Sequence, residues 1–169
     1  MDAREVLTEA FERLPELVRA AVDGLTPEEL HWAPGPGANT VGWLVWHLTR
    51  MQDGHVAELM DAEQVYVRDG WAARFGLDPD PADTGYAHSA EQVARVRPES
   101  AEVLVGYFDA VFARTRDYLG GLSAKDLDRV VDESWDPPVT LGVRLVSVLN
   151  DDDQHVGQAA YVRGLVRSG

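Results

Sequence analysis

Asp151 and His155 stand four residues apart near the C-terminus, within Val148-Leu149-Asn150-Asp151-Asp152-Asp153-Gln154-His155-Val156-Gly157-Gln158. On a helix that spacing puts a carboxylate and an imidazole one turn apart on the same face. There they can hold one metal ion together, or one another; the same residue types also fit a solvated acidic face carrying one surface histidine. What marks the stretch is its propensity, since an Asn followed by three Asp is a poor choice for a helix interior. Function is often found where a local rule is broken without an evident packing gain. A third candidate is His47, set between Trp46 and Leu48 in an apolar run where an unpartnered imidazole is costly. It reads either as a core histidine bonded to a polar neighbour or as a ligand. His55, two turns further on among Asp53, Gly54 and Glu58, reads as a rim residue, and His88 as a solvent-facing loop residue.

These residues need long helices to position them. Apolar residues from Val6 to Val22 recur at three- and four-residue steps and predict a first helix from Asp2 to about Val22, ended by Gly24. Thr26-Pro27-Glu28-Glu29 has capping-box spacing and predicts a short turn, and Ala33-Pro34-Gly35-Pro36-Gly37 predicts a loop. Asn39 or Thr40 then caps a second helix to about Met60, carrying Trp43, Leu44, His47 and Met51. Residues 61–99 read as an irregular excursion, pinned by Trp71, Phe75 and Tyr86, in which Pro79-Asp80-Pro81 forbids a long helix. Within it Ser89 and Gln92 predict a short capped helix to Val96 or Arg97. A third long helix is expected from about Ser100 to Leu119, its aromatic run forming core, and stops at Gly120-Gly121. After another capped turn from Ser123 to Leu127 and a loop through Trp135-Asp136-Pro137-Pro138, Thr140 caps a fourth, to about Arg163.

A weak internal repeat supports this division. Gly24-Leu25-Thr26 and Leu30 match Gly121-Leu122-Ser123 and Leu127; Val41-Gly42 matches Leu141-Gly142; Asp53-x-His55-Val56 matches Asp153-x-His155-Val156. The expected fold class is therefore all-α, a four-helix bundle with a long irregular excursion between the second and third helices. Sites in such bundles are built from side chains on facing helices, so His47 meets Asp151 and His155 if the second and fourth helices face each other.

Composition narrows the function classes. The 169 residues fit one domain with a core of its own, and the absence of Cys removes disulfides, thiolate metal sites and cysteine nucleophiles. A formal charge of −14, with Lys125 the single lysine, argues against binding a phosphate backbone. No leader or membrane-length apolar run is visible, so the expected compartment is the cytoplasm, with neither nucleic acid nor membrane as partner.

Asn39-Thr40-Val41-Gly42-Trp43-Leu44-Val45-Trp46-His47-Leu48, the downstream Trp71, Phe75-Gly76 and Gly85-Tyr86, and Asp152-Asp153-Gln154-His155-Val156-Gly157-Gln158 with Tyr161-x-Arg163-Gly164 resemble the DinB-like superfamily. More narrowly they resemble an actinobacterial branch and its relative, mycothiol-dependent maleylpyruvate isomerase. The resemblance spans essentially the whole chain and implies one DinB-like domain over residues 1–169. It also implies a divalent metal held by one His on the second helix and an H-x-x-x-H pair on the fourth, a pattern that falls on His47, Asp151 and His155. Asp151 departs from the three-His form; the isomerase resembles a His, Glu, His variant, so a carboxylate is tolerable there. The family's common H-R-G-Q is here His155-Val156-Gly157-Gln158, without the Arg.

Residue chemistry agrees with what the resemblance implies. Two imidazoles and one carboxylate leave zinc an open fourth position, as in catalytic sites, and also suit Fe, Mn or Ni. Asp152 and Asp153 are candidates for groups behind the ligands or at the surface, Asp153 more for the surface, and Gln158 for lining the cavity. The implied function is a metal-dependent S-transferase or isomerase in which mycothiol or a similar small thiol attacks a small electrophile as thiolate. The competing reading is a metal- or ligand-binding stress-response protein without turnover. A hydrolase using bound hydroxide would need a nearby base, and none stands out. Members of the superfamily are often dimers, which makes a homodimer an expectation too.

Overall fold

Leu7, Phe11, Leu14, Val18, Ala21 and Val22 form one buried stripe at the N-terminus, yet two helices carry it: α1, Ala3–Phe11, and α2, Leu14–Val22. The continuous first helix expected from periodicity is interrupted at Glu12 and Arg13. Pro15 is the cause, because it has no N–H to give the Phe11 carbonyl and its ring crowds that carbonyl. In this computed structural model, which describes residues 1–168, α1 is started by a capping box between Asp2 and Glu5, and Gly24 turns the chain at a φ of +69° after α2. A short α3, Pro27–Leu30, follows with the expected Thr26–Glu29 capping box.

Helix α4, Val41–Leu59, is the centre of the molecule. The Thr40 side chain caps it by accepting from the Trp43 N–H, and its residues from Val41 to Arg50 are all buried. It is enclosed by α2, by α7 (Ala101–Gly120), by α8 (Leu141–Ser168) and by the excursion after it. That explains why a helix carrying Arg50, Gln52 and Asp53 shows no clear polar face: all three are fully buried. The excursion holds α5 (Val65–Arg68), a 3₁₀ turn at Trp71–Phe75, and α6 (Ala90–Arg95), capped by Ser89 as its spacing predicts. Phe75 is buried and Trp71 packs against the core, but Tyr86 is 83% exposed and pins nothing.

Two further departures concern the fourth helix. The loop before it contains a two-stranded antiparallel pair, β1 (Val130–Asp132) with β2 (Val139–Thr140), pairing Val130 with Thr140 and Asp132 with Val139. So short a ladder leaves no readable alternation in the sequence. Helix α8 also runs on to Ser168, through Gly164, because Val162 is buried and Val166 packs against the core beyond the expected end. Four long helical segments, the first of them the broken α1–α2, thus make the expected all-α bundle, with α4 and α8 packed against each other. No helix is long and apolar enough to cross a membrane among the described residues.

Candidate metal centre

The buried stripe of α8 reads Leu141, Leu145, Val148, Asp152, Val156, Ala159 and Val162. Asp151 and His155 lie one residue behind members of that stripe, at its edge, both partly buried. On the facing helix His47 is 5% exposed, and the three residues offer donor atoms that all lie within 4.8 Å of one another. The facing arrangement therefore brings together the three residues that spacing and resemblance had singled out.

Hydrogen bonds settle which ring nitrogens are open. His47 Nδ1 meets the Thr84 carbonyl at 2.5 Å, and a carbonyl only accepts, so Nδ1 carries the proton and Nε2 presents its lone pair. His155 Nδ1 donates to Gln158 Oε1 at 3.0 Å, leaving Nε2 free 3.5 Å from Asp151 Oδ1. An oxygen behind each imidazole, fixing its tautomer and aim, is the usual support of a metal-binding histidine. The rings of His47 and His155 meet edge to face with centroids 4.7 Å apart, and Trp43 stacks on His47 at 4.6 Å and 11°. Burial lowers the His47 pKa, against the opposing pull of the Thr84 carbonyl, which favours the neutral, ligating form. His155 is shifted the other way, chiefly by the Asp151 carboxylate beside it.

The donor set fits a divalent cation. Asp151 Oδ2 is buried with no hydrogen-bond partner, an acceptor that a cation would satisfy. Around zinc, donors about 2.0–2.2 Å from the ion stand roughly 3.4 Å apart, so small side-chain rotations close the shell. Three donors leave a further position open. An open cavity of about 430 Å³ is lined by Leu44, Gln158 and Tyr161 among others; it adjoins the triad only through Gln158, which bonds His155, and no residue of the triad lines it. A larger cleft of about 690 Å³ runs outside the excursion past Asp78, Asp80 and His88, and no residue of the triad lines it.

The remaining candidates have other work. His55 takes a hydrogen bond from Arg144 at 3.3 Å and lies near Glu58; burial, then Arg144, lowers its pKa. His88 is a correction, for its side chain is 8% exposed rather than solvent-facing. Its Nδ1 accepts from the Trp43 indole at 3.2 Å, so Nε2 carries the proton and donates to Asp83 at 2.8 Å. Asp153 is exposed, as expected. Asp152 is fully buried with neither oxygen partnered, and burial, then its Asp151 and Asp153 neighbours, raise its pKa well above the ordinary carboxylate value. The internal repeat does not extend to roles: Asp53, the counterpart of exposed Asp153, is buried and accepts from Val65 N, Tyr66 N and Tyr107 Oη.

Thr84 and Arg50 escaped the sequence reading, and Gly85 entered it only as part of the resemblance, with no role assigned. Thr84 acts through its main-chain carbonyl, which no side-chain pattern can reveal. Gly85 does leave a signal, Thr84-Gly85-Tyr86 in an irregular stretch, since its φ of +87° favours glycine.

Comparison with known proteins agrees with the architecture. The model of the DinB superfamily matches residues 10–159. A conserved protein from Enterococcus faecalis, known from its crystal structure, is 32% identical, with a TM-score of 0.91 over 100% of this chain and 99% of that one. A DinB-like protein from Bacillus cereus shares the fold at 19% identity and a TM-score of 0.62, over 94% of this chain and 89% of that one. No curated protein matches the chain. With the family model and a 32% identical structure both spanning its bundle, the chain belongs to the DinB superfamily.

Proposed function

We propose that His47, Asp151 and His155 hold one divalent ion, zinc first among the candidates with Fe, Mn and Ni behind it, and that the protein uses it to activate a small thiol such as mycothiol. The observation that carries this reading is the pair of imidazoles whose Nδ1–H groups are each tied to an oxygen, leaving both Nε2 atoms open beside a carboxylate with an unpartnered oxygen. A bound divalent ion lowers the pKa of a coordinated thiol, so that the sulfur is a thiolate at neutral pH.

The protein's own groups supply the rest. Trp43 and Leu44 keep the inner wall apolar, and both are buried. We assign the thiol and its electrophile to the open cavity lined by Leu44, Gln158 and Tyr161, which adjoins the triad through the Gln158–His155 hydrogen bond. In a transfer, the thiol proton passes to solvent, a carbon–sulfur bond forms, and the leaving group departs with its electron pair. In an isomerisation, thiolate addition to a conjugated double bond permits rotation before the sulfur leaves again. With one carboxylate against two positive charges, the loaded site keeps a net positive charge that favours an anionic sulfur.

The test is a thiol series on zinc-loaded protein, with an aromatic halide and a cis-dienoic acid as electrophiles. Thiol-dependent turnover that vanishes in His155→Ala supports the reading. Metal binding with no effect of any thiol on melting temperature or turnover would instead leave a metal-binding protein without chemistry.

A further inference from the structure

Arg50 follows His47 by three residues on α4 and is fully buried. Burying a guanidinium is costly unless its N–H groups are met, and here the loop after Pro79 meets them. Nε donates to the Asp83 carbonyl at 3.0 Å, and Nη2 to the carbonyls of Pro81 at 3.1 Å and Asp80 at 3.4 Å. Nη1 donates to Gln64 Oε1 at 2.8 Å and Tyr107 Oη at 3.4 Å; the Asp53 carboxylate lies 3.7 Å away, and the Tyr66 ring centroid 4.0 Å from the guanidinium carbon. Three main-chain carbonyls of one loop thus converge on one side chain. The next carbonyl along, Thr84 O, is the one that takes the His47 Nδ1 proton.

We propose that Arg50 is a positioning residue for His47: by gathering the carbonyls of Asp80, Pro81 and Asp83 it sets the Thr84 carbonyl behind the imidazole, which leaves Nε2 aimed at Asp151 and His155. Successive carbonyls, Asp83 and Thr84, are divided between two side chains one helical turn apart. Gly85 is the second part of the device. A Cβ there would lie 2.8 Å from Trp46, 2.9 Å from His47 Nδ1 and 3.1 Å from Trp43, so only glycine lets the loop come this close. The far side of the loop is held by Asp83, whose carboxylate accepts from Gly85 N at 3.1 Å and from His88. Lysine cannot replace Arg50 in this role, because a point charge on a flexible stem lacks the planar fork that spans separate carbonyls.

The consequence for metal binding rests on the proposed function; the consequence for the imidazole does not. The experiment therefore has two readouts. Nitrogen–proton correlation spectra of metal-free protein report the His47 tautomer, and zinc competition titration reports affinity, with circular dichroism confirming the fold of each variant. Wild type should show His47 as a single Nδ1–H tautomer. Arg50→Gln and Arg50→Lys should show mixed or exchanging tautomers and bind zinc about 10–100-fold more weakly, the range typical of losing support behind a ligand. Gly85→Ala, which keeps Arg50 but displaces the loop, should do the same, and Thr84→Ala, which keeps the carbonyl, should not. If Arg50→Gln does not fold, Arg50→Lys, which keeps the buried charge but not the planar fork, decides the matter by the same two readouts.

A tautomer fixed in wild type and lost in the variants supports the positioning role even if wild type binds no zinc; in that case the metal reading falls alone. A wild-type His47 carrying its proton on Nε2 overturns the proposal. So does a folded Arg50→Gln protein that melts lower yet keeps the wild-type tautomer and affinity, since that is a purely structural arginine.

Discussion

Replacing Asp152 by Asn should raise stability at neutral pH and flatten its pH dependence. Asp152 is 0% exposed, and neither of its oxygens has a partner. Its pKa is pushed well above the ordinary carboxylate value, first by burial and then by the charges of Asp151 and Asp153. An acid whose pKa is raised by folding binds more protons folded than unfolded, so stability falls as pH rises. The fall begins near the unfolded pKa and is complete above the raised folded one. Asn has nearly the same shape and no charge, so it removes the ionisation cost without opening a cavity. An unsatisfied buried polar group costs about 1–3 kcal/mol, and more when charged. Asn leaves its own amide poorly met, so a net gain of about 1 kcal/mol is expected, or roughly 2–4 °C in a chain of this size. The assay is thermal unfolding from pH 4 to pH 8 with chelator present, so that no cation masks the neighbouring Asp151. The variant should melt higher at pH 8 and match wild type near pH 4. A variant that melts lower than wild type at pH 8 would show that Asp152 has a favourable ionic partner, and would refute the reasoning.

Other perturbations test the surroundings of the site. Tyr107→Phe removes a buried hydroxyl that donates to Asp53 at 2.9 Å and should cost about 1.5–3 kcal/mol in denaturant unfolding; an unchanged midpoint would mean that water replaces it. His55→Ala should leave zinc content close to wild type by elemental analysis, because His55 Nδ1 is engaged with Arg144 and His55 is not one of the three clustered donors. Trp43→Phe strips His88 of its Nδ1 donor and should lower the melting temperature by a few degrees, as for a lost hydrogen bond of about 1 kcal/mol; if it does not, the indole N–H contributes nothing there.

The triad was legible because each member disturbs its surroundings: His47 in an apolar run, and Asp151 with His155 at a one-turn spacing among poor helix formers. The long helices were legible for the ordinary reason that their apolar residues keep the helical period. What stayed hidden acts through the backbone or against its type. Pro15 sits inside a helical pattern and breaks it, although the stripe continues across the break. Thr84 works by its carbonyl. Arg50 has a strongly hydrophilic side chain and yet is fully buried in the fold, which the convergence of a distant loop explains. His88 looks like a cap neighbour until the Trp43 indole and Asp83 are seen on either side of its ring. Asp152 occupies a position in the buried stripe of α8 where an apolar residue would be expected.

The central claim is that these three side chains bind one metal ion, and titration calorimetry of chelator-stripped wild type against Asp151→Asn tests it most directly. Asp151→Asn keeps size while removing the one charge that offsets the cation. Wild type should bind a single equivalent of zinc and melt higher when loaded, as expected for a ligand that binds only the folded state. The variant should bind far more weakly, by at least the roughly 10–100-fold seen when only the groups behind a ligand are changed. Wild type that takes up no zinc, iron, manganese or nickel, or a variant that binds each of them as tightly as wild type, would contradict the account.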